Sequence, residues 1–163
     1  MLTEGRGVEI DLKEGRFWIA KAAEAGLPDA EMAYAELLLS GRGGTRDHPA
    51  ALEMFERAAR QGHINAIFSV AAMHGGGHDV PENRALAQVH FRQAAERGHA
   101  MAQLMLGRYL ARGLASETNP AEAKLWLHRA RSQGISQADA ELARLGTRPQ
   151  PASAATARAA SRS

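Results

Sequence analysis

Apolar side chains recur every three or four residues in short segments of the chain, and each such segment returns 36 residues later. This spacing places the apolar positions on one face of an amphipathic helix. The predicted face in three successive copies consists of Ala51, Met54, Phe55, Ala58 and Ala59; Ala87, His90, Phe91, Ala94 and Ala95; and Ala123, Trp126, Leu127 and Ala130. We name this helix type B, and we expect His90 to be buried on its packing face. The alanines allow close approach of a neighbouring helix.

The ends of the B helices are marked by residues that repeat with the same 36-residue spacing. Short polar side chains suited to N-caps occur at Asp11, Asp47, Asn83 and Asn119. Glycines suited to a left-handed closing conformation follow at Gly26, Gly62, Gly98 and Gly134. Glu14 and Glu122 lie three residues past their caps, as in a capping box. The sequence therefore predicts four B helices, the first beginning after Asp11.

A second helix type, named A, is predicted between the B helices, roughly at residues 29–40, 65–74 and 101–112. A shorter copy at 137–145 is predicted to be a capping helix, with Ala138 and Leu142 facing inward. Its outward side chains are expected to be Asp139, Glu141 and Arg144. A terminal repeat needs such a polar outer face for solubility.

A repeat period of this length is typical of a solenoid. The chain is rich in Ala and poor in aromatics, at 5%, which favours helix over strand. We predict an all-α fold, an α/α right-handed superhelical solenoid of about 36-residue helix-turn-helix repeats. The predicted units are a partial first repeat 1–28, repeats 29–64, 65–100 and 101–136, a C-terminal capping helix 137–146, and a disordered tail 147–163 that is rich in Ala, Arg and Ser.

The repeated residues resemble a known family. The helix endings "KAAEAG" and "QAAERG", the segment "LGRYLARG" that ends at Gly113, and the Gly-x-Gly loops before Asp11 and Asp47 are similar to the Sel-one-like repeat. This family is a relative of the tetratricopeptide repeat. The resemblance implies an adaptor scaffold that binds other proteins, often in bacterial signalling, envelope or host-interaction settings.

Candidate chemistry is sparse. The chain has no cysteine, and no nucleophile elbow, phosphate loop or dinucleotide fingerprint is present. His63 and His99 follow the helix-closing glycines at equivalent positions, so we expect structural roles for both. His74, His78 and Asp79 offer an alternative, a metal site in a loop, but no further ligand is evident. We predict no enzyme activity, no metal and no cofactor.

The concave face of successive A helices is the predicted partner-binding site, because large apolar side chains there suggest a ligand. A helical wheel assigns to it Met32, Glu36, Asn65, Phe68, Ser69, Met101, Leu104, Met105, Arg108 and Arg112. An alternative is that the row of Met32, Phe68 and Leu104 packs onto the neighbouring repeat. A protein or peptide of unknown identity is the expected partner. The function hypotheses are a scaffold, a regulatory subunit of an enzyme complex, and, least favoured, an enzyme with an unrecognised site.

The two chain ends give further expectations. The three arginines of the tail have no aromatic residues between them, so no nucleic-acid partner is expected. No signal peptide or membrane segment is recognised, which suggests a cytoplasmic protein by default, or an exported one if a signal lies upstream of a truncated start. The chain begins within a repeat, so Trp18 and Ile19 lack a covering A helix. We expect this N-terminal end to contact further repeats or a second copy.

Overall fold

The computed structural model describes residues 4–146, with side chains from residue 11 onward, and these residues form eight helices and no strand. The helices are α1 (Glu4–Glu24), α2 (Pro28–Ser40), α3 (His48–Arg60), α4 (Ile64–His74), α5 (Arg84–Glu96), α6 (Ala100–Arg112), α7 (Pro120–Ser132) and α8 (Gln137–Gly146). The B helices are α1, α3, α5 and α7, and the A helices are α2, α4, α6 and α8. The predicted tail, 147–163, lies outside the described residues.

The helices form an all-α solenoid, because each helix packs mainly on the one before it and the one after it in the chain. α8 also packs on α6. A B helix therefore lies between the A helix of its own repeat and the A helix of the next repeat. This order confirms the predicted fold class.

Alanines make the close helix crossings possible. Ala51, Ala87 and Ala123 at one repeat position, and Ala58, Ala94 and Ala130 at another, are fully buried. The large residue between them is Phe55, Phe91 or Leu127, each at most 1% exposed. The helices α6 and α7 approach closely at Gly107, where an added Cβ would lie 2.6 Å from Leu127 Cγ.

The predicted helix ends are confirmed in three repeats. The side chains of Asp47, Asn83 and Asn119 accept hydrogen bonds from backbone N–H groups three residues later, at 2.9 to 3.1 Å. Each cap residue also donates its own N–H to a carbonyl near the end of the preceding A helix, at 2.8 to 2.9 Å. The closing glycines adopt positive φ, from 81° at Gly26 to 91° at Gly134. Caps and glycines therefore fix where each B helix begins and ends.

The predicted start of the first B helix is wrong. Asp11 lies inside α1, which begins at Glu4. In the second repeat, by contrast, the glycine loop after α2 is bound by α1: the Arg16 guanidinium donates to the carbonyls of Leu37, Arg42 and Thr45 at 3.3, 3.2 and 2.9 Å. The helical hydrogen bonds of α1 run through the segment that contains Asp11.

Two polar side chains lie where the periodic pattern did not predict them. Glu141, predicted to face outward, is 4% exposed, because α8 packs against α6 and arginines of α6 bind its carboxylate. His90, predicted to be buried, is only half-buried and shares a 3.0 Å hydrogen bond with Gln93. Helix periodicity assigns a side chain to a face, and the packing of neighbouring helices then decides how much of that face is covered.

The capping-box role of Glu122 is also wrong. Its carboxylate accepts hydrogen bonds from Arg92 and from Trp126 Nε1, and the N–H of Asn119 bonds to Leu110 instead. The hydrogen bond from Arg92 holds the pKa of Glu122 below its ordinary value, despite the opposing effect of burial. Glu122 therefore links two B helices.

Candidate partner-binding surface

The ten residues predicted to bind a partner differ widely in accessibility. Glu36, Asn65 and Arg112 are exposed, and Leu104 is fully buried. The half-buried residues are Met32, Phe68, Ser69, Met101, Met105 and Arg108. We refer to the nine accessible residues, without Leu104, as the A-face. The structure therefore brings to the surface most, but not all, of the side chains that the helical wheel selected.

Leu104 does not belong to this surface. It is 0% exposed, because α6 is contacted by α5, α7 and α8. A helix enclosed on three sides buries a wider arc than the wheel allowed for. For Leu104, the alternative prediction of packing onto a neighbouring repeat is the one that the structure supports.

Phe68 lies between these extremes. Its ring stacks on the His99 imidazole, with centroids 4.5 Å apart and planes at 16°, and it tilts against Phe91 at 5.8 Å. The side chain packs at the margin of the larger core cluster, so one part of the ring is buried and the other accessible. Phe68 therefore contributes to packing and still presents an apolar edge to a partner.

His63 and His99 have the structural role predicted for them. Each is the N-cap of the following A helix, because its Nδ1 accepts from the backbone N–H of Ala66 or Ala102, at 3.3 and 3.1 Å. An Nδ1 that accepts a hydrogen bond carries no proton. Burial lowers the pKa of His99 below its ordinary value, although the hydrogen bond to the backbone of the same residue has the opposite effect. The capping itself was not predicted, since histidine is outside the usual set of cap residues.

Two arginines of the A-face are bound by α8. Glu141 Oε1 lies 2.9 Å from Arg108 Nε and 2.6 Å from Arg112 Nη2. Burial raises the pKa of Glu141, but the hydrogen bonds from Arg112 and Arg108 outweigh it, so the pKa lies below its ordinary value. One buried carboxylate thus partly neutralises the positive end of the A-face.

Four side chains of the A-face are large and apolar, and the other five are polar. Met32, Phe68, Met101 and Met105 each pack one side against a core cluster and remain partly accessible. Methionine side chains adapt to irregular partners. Such a surface can bind the apolar side of a helix or an extended peptide without any chemical reaction.

His74 is the last residue of α4 and His78 lies in the α4–α5 loop, and the two have different neighbours. The ring of His74 is largely buried, whereas His78 packs edge-on against His48 at 5.4 Å. Asp79 donates its N–H to Nδ1 of His48 at 3.0 Å. Across residues 4–146, no three side chains of the His, Cys, Asp and Glu types lie close enough to hold a metal ion. The alternative of a metal site at His74, His78 and Asp79 therefore finds no support in this loop.

The fold defines an α-helical repeat solenoid, and comparison with known proteins gives its family. The model of the Sel1 repeat matches residues 1–27, 28–63, 64–99 and 100–135. The chain belongs to the Sel1 repeat family. Proteins of this family generally mediate protein–protein interaction and are typically non-catalytic scaffolds.

Two solved structures are similar to this chain to different degrees. The chain is similar to a Sel1 repeat protein from Oxalobacter formigenes, with 26% identity and a TM-score of 0.74, over 86% of this chain and 59% of that protein. It also matches c5321, a protective antigen of uropathogenic Escherichia coli with an SLR fold, at 26% identity and a TM-score of 0.47, over 83% of this chain and 37% of the antigen. The chain thus spans about three-fifths of the first of these structures. Among curated proteins, none matches the sequence.

The helices of residues 4–146 include none that is long and apolar enough to cross a bilayer.

Proposed function

We propose that the chain is a protein-interaction scaffold and that the A-face binds a helix or an extended peptide of a partner protein. The observation that carries this proposal is the partial accessibility of four large apolar side chains on three A helices: Met32, Phe68, Met101 and Met105. They pack one side against the core and leave the other open. Apolar side chains grouped in this way, with polar residues such as Glu36 and Asn65 nearby, are typical of a peptide-binding surface.

The test is a selection of helical peptides from a display library on the purified protein, followed by affinity measurement on variants. Met101→Asp and Met105→Asp are expected to abolish binding of the selected peptides, because each replaces a partly accessible apolar side chain of the A-face with a charge. Leu125→Asp is the matched control, since Leu125 is 63% exposed on the B helix α7. Circular dichroism checks that each variant is folded. Peptides that lose affinity for Leu125→Asp but not for the methionine variants would contradict the proposal.

A second binding surface is proposed at the N-terminal end of the solenoid. Trp18 and Phe17 of α1 are 62% and 53% exposed. Ile19 is only half-buried, whereas its equivalents Phe55 and Phe91 are each 1% exposed. In the later repeats an A helix covers this position, and among residues 4–146 none precedes α1. We infer that the A helix of a further repeat or of a second copy packs here.

Light scattering at increasing protein concentration tests this surface. The expected result is a mass that rises with concentration and falls back to that of one chain in Trp18→Lys. Leu125→Lys controls for the added charge at another exposed apolar site. A single-chain mass at all concentrations would argue against packing of a second copy. In that case Trp18 fluorescence is measured in a chain extended upstream by one repeat, and a shift to the blue would show that the added A helix covers Trp18.

A further inference from the structure

A groove between the B helices α3 and α5 is left open in the middle of the solenoid. It holds a cavity of about 360 Å³. Ile67 and Val70 of α4 form an apolar floor, and the polar side chains around it are Glu56, Arg60, His90 and Gln93. Because the helices repeat, an equivalent groove lies one repeat earlier, between α1 and α3, and another lies one repeat later, between α5 and α7. These two grooves show which side chains occupy the equivalent position.

One repeat later the groove is filled by an indole ring. Trp126 takes the position of His90 and is only 7% exposed, within the same core cluster as Ala95 and Leu106. Its Nε1 donates to Glu122 Oε1 at 3.2 Å. The guanidinium of Arg129, which takes the position of Gln93, lies 4.6 Å from the ring centroid. A carboxylate and a guanidinium therefore complete the enclosure of this ring.

One repeat earlier the groove is occupied by a methionine and an arginine. Arg57 Nη1 lies 3.9 Å from the sulfur of Met54, and Arg57 Nε pairs with the buried Glu31 at 3.0 Å. The first and third grooves thus have a large side chain followed three residues later by arginine.

In the middle groove both of these positions carry shorter side chains. His90 and Gln93 hydrogen bond to each other at 3.0 Å. As a consequence Ala59 is only partly buried, whereas the equivalent Ala95 is 1% exposed. The floor of the middle groove is apolar, whereas the positions equivalent to Ile67 and Val70 are Glu31 and Tyr34 one repeat earlier and Gln103 and Leu106 one repeat later. The large side chain found at the equivalent of His90 in the third groove is missing here.

We propose that this groove is a binding site for a tryptophan side chain of a partner protein. The floor of Ile67 and Val70 accepts the ring, Arg60 at the rim can cover its face, and Glu56 can accept its N–H. Glu56 is 41% exposed, and its carboxylate lies 4.0 Å from Nε2 of the His74 ring, beyond hydrogen-bond range. The two ring nitrogens of His74 are buried without a hydrogen-bond partner, so this ring leaves the Glu56 carboxylate able to accept a hydrogen bond from a ligand.

This inference rests on the proposed function in one respect, that the ring is supplied by a protein partner. Its test does not use the partner. The ¹⁵N-labelled protein is titrated with N-acetyl-tryptophanamide and followed by heteronuclear NMR. We expect saturable, millimolar shifts of backbone amides at Glu56, Arg60, Ile67, Val70 and His90, because an indole-sized ligand has few atoms with which to gain affinity. N-acetyl-leucinamide should bind more weakly. The N-methylindole analogue, which lacks the N–H, should bind about tenfold more weakly than the parent probe.

The decisive variant is the double substitution His90→Trp with Gln93→Arg, which copies the pair found in α7. It should fill the groove, abolish the shifts caused by the probe and raise the melting temperature. Val89→Trp is the matched control, because Val89 is the neighbouring residue and is 52% exposed. It should leave binding unchanged.

Three results would overturn the proposal: no saturable shift up to the solubility limit of the probe, an equal response to the leucine analogue, or binding retained by the double variant. Should the double variant melt earlier than the wild type, Glu56→Ala replaces it. That variant should weaken binding of the parent probe and leave the binding of the N-methyl analogue unchanged. Because no A-face residue takes part, failure here leaves the proposed scaffold function standing, and failure of the A-face variants leaves this site standing.

Discussion

Phe68 offers the sharpest test of how the A-face combines packing with binding. Truncation of a fully buried phenylalanine to alanine costs about 3–5 kcal/mol. Phe68 is half-buried, so about half of that amount is expected, and loss of the stacking on His99 adds about 0.5–1.5 kcal/mol. We therefore expect Phe68→Ala to lower the free energy of unfolding by about 2–4 kcal/mol, which corresponds to about 4–16 °C in melting temperature for a domain of this size.

The aspartate variant separates partial from complete burial. In Phe68→Asp the carboxylate can reach water along the accessible side of the site. The free energy of unfolding of this variant should therefore be no more than about 1 kcal/mol below that of the alanine variant. A charge confined in the core would cost several kcal/mol more. Thermal and urea unfolding measure both differences. Ser69→Ala is the control, because its hydroxyl bonds only to the carbonyl of Asn65 in the same helix, and it should change stability by less than about 0.5 kcal/mol.

The ring of Phe68 also covers His99, which gives a second readout. Burial lowers the pKa of His99, and Phe68→Ala removes part of that cover, so the pKa should move back up toward its ordinary value. A proton NMR titration of the imidazole measures this directly. A melting temperature within about 2 °C of the wild type, together with an unchanged His99 titration, would refute the assignment of Phe68 to the packing layer.

Three other predictions follow from single contacts. The pKa of His99 is lowered in the folded state, so the neutral imidazole contributes stability above about pH 6.5, and this stability is lost as the pH falls toward the lowered pKa. His99→Asn should keep the N-cap and remove this part of the pH dependence of unfolding. Gly107→Leu should destabilise the fold by about 1–3 kcal/mol, because a Cβ added at Gly107 would already lie 2.6 Å from Leu127. Gly15→Ala should stabilise the fold by about 0.5–1 kcal/mol, because no atom lies within 4 Å of the added Cβ. Glu141→Gln should lower the melting temperature at pH 7, and below about pH 4.5 the variant should match the wild type more closely. The reason is that the Glu141 carboxylate, with its lowered pKa, contributes stability that is lost on protonation. A constant difference in melting temperature across this pH range would contradict the ion-pair assignment.

The sequence by itself determined the repeat and the ends of most helices. The N-caps at Asp47, Asn83 and Asn119 and the closing glycines act on backbone groups only a few residues away, so their effect could be predicted without knowledge of the neighbouring helices. The alanine positions of the B helices were predictable for a similar reason, since the 3.6-residue period fixes which side chains share a face. The family resemblance rests on the same local features, and it is confirmed.

The tertiary structure decided which side chains are covered. Leu104 and Glu141 lie on arcs that a single helix leaves open. Leu104 is buried because α5, α7 and α8 enclose α6, and Glu141 is buried because α8 packs onto α6. The structure also placed Asp11 inside α1 instead of at its N-terminus. The groove beside His90 is visible in the sequence only as a shorter side chain in a repeated position. Coverage is a property of several helices at once, and the period of one helix carries no information about how far its neighbours reach.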